Sequence, residues 1–222
     1  MFYEKDSSSM IDIYFFGDSI LFGQDMSVEK TWVVRLGSYF DNVRVQNPSV
    51  NGDTTRLGLE RMPHDVQSHN VDILVLGFGM NDCNYWETDN GVPRVSPDAF
   101  KANLKEIIKR ARVNGVKEII LHTNHMSPKK KIMCKQTFTY QESNAYYNEI
   151  IREVASEDRE LLFLDIEKMI NEYLKINNLD SRSHVLSDEV HLSELGHNLY
   201  FDYMKEVLQK AIYRIEGRNA DV

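Results

Sequence analysis

The sequence predicts one α/β domain, and three observations carry the prediction. Five short, β-branched apolar runs recur along the chain, at 11–16, 43–46, 73–77, 118–123 and 161–165. Segments with helical spacing lie between them, so strand and helix alternate. The chain has 222 residues, 42% of them hydrophobic, which suits one domain with a substantial core. Most of the runs are continuous rather than alternating, as strands buried on both faces of a parallel sheet require. Right-handed crossovers then join successive strands.

Taken in order, the run at 11–16 is the first strand and ends at Gly17-Asp18-Ser19. Trp32, Leu36 and Phe40 mark a helix, and the second strand is 43–46. Asn51-Gly52 is a turn dipeptide, with Asp53 or Thr54 placed to cap a following helix. The third strand, 73–77, runs into Gly77-Phe78-Gly79. Ser96-Pro97-Asp98 opens a helix through Phe100, Leu104, Ile107, Ile108 and Ala111 that stops near Gly115. The fourth strand, 118–123, is followed by a long loop over 124–137. Tyr146, Ile150, Ile151 and Val154 mark a helix before the fifth strand. Leu199, Tyr203, Val207, Leu208, Ala211 and Ile215 mark the last one, over 195–215.

One domain over 10–217 is expected, with a polar N-terminal extension at 1–9 and a short tail at 218–222. Residues 1–9 carry Glu4, Lys5 and Asp6 where a secretory signal would need an apolar stretch, and no run reaches the ~18–20 apolar residues of a membrane span. The 26 basic against 34 acidic residues, net −8, argue against nucleic acid or an anionic membrane as the main partner. Two cysteines, Cys83 and Cys134, cannot build a disulfide scaffold and fit a reducing compartment, so a cytoplasmic location is expected. Lys129-Lys130-Lys131 reads as a solvated loop.

In open α/β sheets the ligand site forms beyond the carboxyl ends of the strands, and four places at such ends carry candidate chemistry. Ser19 follows the first strand. The position two after it is Leu21, so the Gly-x-Ser-x-Gly elbow of α/β-hydrolases is not met. Asn81, in Gly79-Met80-Asn81-Asp82, offers a neutral amide donor for a developing oxyanion, or else a helix cap. The Gly52 N–H could point at the same place. Asp188 stands three residues before His191, a spacing that in a tight loop lets the carboxylate accept from imidazole Nδ1 and leaves Nε2 free for a proton.

Together these blocks resemble the SGNH hydrolases, the GDSL-type esterases and lipases. Ser19, Gly52, Asn81 and His191 with Asp188 stand in that family's order across residues 17–191, with Ile20 where the name-giving block has leucine. The resemblance implies a three-layer α/β/α, flavodoxin-like fold with five parallel strands. It implies an oxyanion hole of Ser19 N–H, Gly52 N–H and the Asn81 amide. It also implies that His191, oriented by Asp188, activates Ser19 to form an acyl-enzyme.

Tyr85, Trp86, His125 and Met126 are the expected pocket residues, from their places in loops at strand ends. His122 and His125 lack the further ligands of a zinc pattern. No metal and no other cofactor is expected. The expected partner is a small-molecule ester, with short acyl (acetyl) esters of a carbohydrate or similar metabolite the leading class. A lysophospholipase or thioesterase of the same family, and a non-catalytic binding module on the same fold, are the alternatives.

Overall fold

The computed structural model describes residues 10–217; the expected extension at 1–9 and tail at 218–222 lie outside the described residues. Five strands form where the apolar runs predicted them: β1 (Ile11–Gly17), β2 (Val43–Gln46), β3 (Ile73–Gly77), β4 (Glu118–His122) and β5 (Leu162–Leu164). All pairings are parallel and the order is β2-β1-β3-β4-β5. That is the doubly wound, flavodoxin-like order, which puts a topological switch point between β1 and β3. Every residue of β1 and β3 is buried, so their continuous apolar character matches helices on both faces.

Among the described residues seven helices cover the sheet: α1 (Ser19–Phe22), α2 (Trp32–Tyr39), α3 (Thr55–Met62), α4 (Pro97–Val113), α5 (Tyr140–Glu157), α6 (Ile166–Ile176) and α7 (Glu194–Ile215). α2 and α7 pack together on one face, and α3, α4 and α5 on the other, with α6 beside α7. The local sequence fixes most helix starts. Thr54, Ser96, Asp165 and Ser193 each accept a first-turn N–H, and Thr139 with Glu142 forms a reciprocal capping box.

Trp32 is the hub of the α2/α7 side. It is fully buried, its ring meets Phe15 and Tyr200, and its indole N–H donates to the Ile20 carbonyl at 2.9 Å. The Trp32 backbone N–H donates to His197 Nδ1 at 3.2 Å, so His197 is an interior packing residue that ties α7 to α2. Burial pushes its pKa down to about 4, so it packs as neutral imidazole. Cys83 and Cys134 are both free thiols, and Cys83 is fully buried.

Gly17 and Gly77 lie in register at the carboxyl ends of β1 and β3. A Cβ on Gly17 would stand 2.2 Å from the Gly77 carbonyl oxygen, so the two central strands approach too closely there for any side chain. The loops that leave these two ends, one with Ser19 and the other with Asn81, therefore start side by side.

Candidate active site

The sheet order decides what converges. Ser19 leaves β1, the first strand at the switch point, and occupies the first position of α1, where a helix leaves a backbone N–H without an intrahelical acceptor. Asp18 caps this short helix, its Oδ1 accepting from the Ile20 N–H at 3.0 Å. His191 arrives from the loop before α7. Its Nε2 lies 2.9 Å from the Ser19 hydroxyl, and its Nδ1 lies 2.5 Å from Asp188 Oδ2.

A carboxylate oxygen can only accept, so Nδ1 carries the proton and Nε2 is left to accept from Ser19. The other Asp188 oxygen accepts from the Val190 and His191 N–H groups, each at 3.0 Å. Partial burial alone pushes the Asp188 carboxyl up. The Val190 and His191 amides and the imidazole reverse that and hold it below the usual carboxylate range.

The loop that carries His191 is braced by the loop after β4 in a regular way. His125, Ser127 and Lys129 reach the carbonyls of Val190, Glu189 and Asp188, at 2.8, 2.5 and 3.4 Å. Alternate residues of the 125–129 segment thus hold three consecutive carbonyls. This corrects the expectation that His125 lines the pocket. Its side chain is fully buried, with Nε2 on the Val190 carbonyl and Nδ1 2.9 Å from the Tyr200 hydroxyl. The carbonyl must accept, so Nε2 is protonated and the Tyr200 hydroxyl donates to Nδ1. Burial, with His184 beside it, pushes the His125 pKa down to about 3. Met126 is half-buried, and its carbonyl faces His184 Nε2 at 2.8 Å.

Asn81 leaves β3 next to Ser19. Its Nδ2 donates to Asp18 Oδ2 at 3.3 Å, which fixes the plane of the amide and leaves its second N–H available. Asp18 is almost wholly buried. Desolvation, with Asp82 and Asp53 nearby, raises its pKa to about 7 against the opposing Ile20 and Asn81 hydrogen bonds. Asp82 is likewise buried, and desolvation raises its pKa to about 6 although Thr55 donates to it through both its N–H and its hydroxyl. Asp18 and Asp82 thus hold the loops that carry Ser19, Asn81 and Thr55.

Gly52 sits in an exposed turn at φ +80, with open space where a side chain would project. Arg94, which the sequence did not single out, donates from Nη1 to the Gly52 carbonyl at 2.9 Å and stacks on Trp86 with 4.0 Å between guanidinium and ring centre. Arg61 plays a similar part underneath. It bonds Asp53, Asp65 and the Pro48 and Gly17 carbonyls, and so ties the Gly52 loop to the end of β1. Trp86 is 49% exposed and shares a shallow cleft with Asn84, Tyr85 and Lys131, while Tyr85 leans on Phe138.

Among the described residues one group of three potential metal ligands stands together, Asp25, Asp188 and His191, with ligand atoms within 4.8 Å of one another. Asp188 already engages the imidazole Nδ1, so the group is first of all the acidic surroundings of His191.

Fold and site together define a protein of the doubly wound class with a serine hydroxyl, an imidazole and a carboxylate in one hydrogen-bonded line at the switch point. The chain belongs to the GDSL-like lipase/acylhydrolase family, whose sequence model matches residues 15–199. Over 109 residues it is 29% identical to an arylesterase of Vibrio mimicus, covering 47% of this chain and 50% of that protein. The chain thus spans about half the length of the curated relatives it matches. The fold is similar to that of a lipase/acylhydrolase from Enterococcus faecalis, with a TM-score of 0.72 and 23% identity over 91% of this chain and 96% of that one. It is also similar to Axe2, an acetylxylan esterase from Geobacillus stearothermophilus, with a TM-score of 0.67 and 24% identity over 95% and 96%.

Proposed function

We propose that the chain hydrolyses carboxylic esters through an acyl-enzyme on Ser19. The observation that carries this reading is the continuous line from Ser19 Oγ through His191 to Asp188. A serine hydroxyl is a weak nucleophile at its own pKa and needs an adjacent base. In the proposed reaction His191 Nε2 takes the hydroxyl proton as Oγ attacks the ester carbonyl, and Asp188 stabilises the imidazolium.

The negative charge then develops on the carbonyl oxygen, beside the Ser19 N–H, the Gly52 N–H and the free N–H of the Asn81 amide, which serve as its donors. His191 passes its proton to the leaving alcohol. It next activates a water that releases the acyl group and regenerates Ser19.

Short acyl groups, acetyl above all, on a carbohydrate or similar small metabolite are the proposed substrates. The likeness to an arylesterase supports ester cleavage. The Arg94–Trp86 stack beside the Gly52 turn supplies an aromatic wall with a polar edge, which suits a sugar ring. Chain-length profiling of p-nitrophenyl esters from acetyl to palmitoyl, with acetylated oligosaccharides alongside, tests this. Acetyl esters turning over fastest is the expected result. Preference for long acyl chains or acyl thioesters would move the substrate to the lysophospholipase or thioesterase type. Failure to cleave any ester, with Ser19 unreactive, would point to a binding module.

A further inference from the structure

The turn after α1 presents a second carboxylate to the imidazole that faces Ser19. Asp25 Oδ2 lies 3.9 Å from His191 Nδ1, the nitrogen already bonded to Asp188. This approach is built into the backbone. The Gly23 and Gln24 N–H groups both donate to the carbonyl of Ser19 itself, at 2.9 and 3.1 Å, and the Met26 N–H closes the turn on Gly23 at 3.2 Å. Gly23 stands at φ +81, and a Cβ there would fall 2.4 Å from the Thr31 side chain, so the turn calls for glycine at this position. Asp25 then adopts φ +64, a conformation non-glycine residues take uncommonly. The Gln24 amide donates at 3.4 Å to the same Asp25 oxygen that faces His191.

We propose that Asp25 is a positioning residue for His191, a second carboxylate that shares with Asp188 the stabilisation of the imidazolium. The proposal rests on the esterase reading for its consequence in catalysis, but not for the contact itself. The one Nδ1–H is donated to Asp188, so Asp25 acts through its charge while Asp188 is intact. If Asp188 loses its charge, Asp25 is the remaining anion within reach.

Among the described residues, the charged and polar groups facing His191 come from three places. Asp188 is on its own loop, and Asp25 and the Ser19 hydroxyl come from the α1 side. Lys129 comes from the loop after β4, with Nζ 3.4 Å from the Asp188 carbonyl, and neutral His125 lies behind Val190. Two anions therefore face the ring with one ammonium nearby. The Asp25 side chain is 58% exposed, so water and salt screen its field and the effect is moderate.

Asp25→Asn is the test, since asparagine tolerates the left-handed backbone and the turn is kept. In the native background the acidic limb of the pH–rate profile should move to lower pH at low salt, and less at high salt. In an Asp188→Asn background the same change should cost about tenfold or more in kcat/KM, well beyond its cost alone, because the two carboxylates back each other up. Equal, near-zero effects in both backgrounds would overturn the proposal.

A second measurement stands apart from activity. An NMR titration of the His191 ring in Ser19→Ala protein, with and without Asp25→Asn, should show a lower midpoint once the Asp25 charge is removed. An unmoved midpoint overturns the proposal even if esters are cleaved. A moved midpoint in a protein that cleaves no ester supports the Asp25–His191 coupling and defeats the esterase reading instead.

Discussion

Ser19 Oγ and His191 Nε2 stand 2.9 Å apart across 172 positions of sequence, one at the end of the first strand and the other just before the last helix. The contact follows from topology. β1 sits inside the sheet next to β3, and the chain must cross over four more times before α7 returns to the same edge. Ser19→Ala and His191→Ala should each lower cleavage of a short p-nitrophenyl ester by at least about 10⁴-fold. An alkyl fluorophosphonate should label Ser19, as read by peptide mapping. Turnover by either variant at the native rate, or an adduct on another serine or on buried Cys83, would refute the assignment.

Asn81 carries the prediction for charge stabilisation. Its amide is oriented by Asp18 and has one N–H left over, so Asn81→Ala should reduce kcat by roughly 10²–10³ while KM changes little. Asn81→Asp places a carboxyl beside Asp18 and should be at least as damaging. A kcat within twofold of native for Asn81→Ala would remove Asn81 from the donor set.

Asp18 predicts a pH signature in stability. Its folded-state pKa of about 7 lies above the ordinary 3.8, mainly through desolvation. Between pH 4 and 7 the folded state therefore holds a proton that the unfolded chain has lost, and stability from this group falls as pH rises through that window. Above pH 7 both states are ionised and the loss is complete, at a few kcal/mol at most. Asp18→Asn keeps an acceptor for the Ile20 N–H and removes the charge. The variant should gain stability over native protein from pH 5 to 8 in urea titrations. A constant difference across that range would contradict the raised pKa.

The glycine pair at the switch point predicts a steric failure. Gly17→Ala drives a methyl against the Gly77 carbonyl at 2.2 Å and against Leu21 at 2.9 Å. Backbone cannot swing aside as a side chain can, so the cost should be about 2–4 kcal/mol, with Tm lower by at least roughly 5 °C. Ser19 is two residues on, so ester cleavage should fall as well. An unchanged melting curve would show that the two strands can part.

Much of this was legible in the sequence because buried parallel strands announce themselves. The runs at 43–46 and 73–77 match β2 and β3, the serine and asparagine blocks follow the ends of β1 and β3, and the histidine block falls just before the last helix. The helices missed or shortened in the sequence reading differ in how legible they were. α1 is four residues long, too short for any period to show. α5 starts at Tyr140, six residues before its first expected apolar position, because its inner face there is polar: Asn144 and Asn148 exchange buried hydrogen bonds with Asn124 and with the His125 carbonyl. α6 has a readable apolar spacing at Ile166, Ile170 and Leu174, with Asp165 as its cap, and that signal was available.

The placement of His125 shows a different limit. Its position just beyond β4 identified the right neighbourhood, but only the return of the 188–190 loop turns the ring inward to bond the Val190 carbonyl. Arg94 and Asp25 were invisible for the same reason, since each acts across a turn whose path depends on tertiary contacts. The nearest sequence signal is the Gly23 turn that swings Asp25 back over Ser19.

The sheet ends in two very short margins, β2 with four residues and β5 with three. An outer strand is where a foreign chain can dock and extend a ladder of amides, and that invitation weakens as the strand shortens. Arg44, exposed on β2 and bonded to Asp12 of the neighbouring strand, adds a charged side chain at one border. The architecture that gathers the reactive groups at its centre thus also leaves short flanks that offer little ladder for fibril-like stacking.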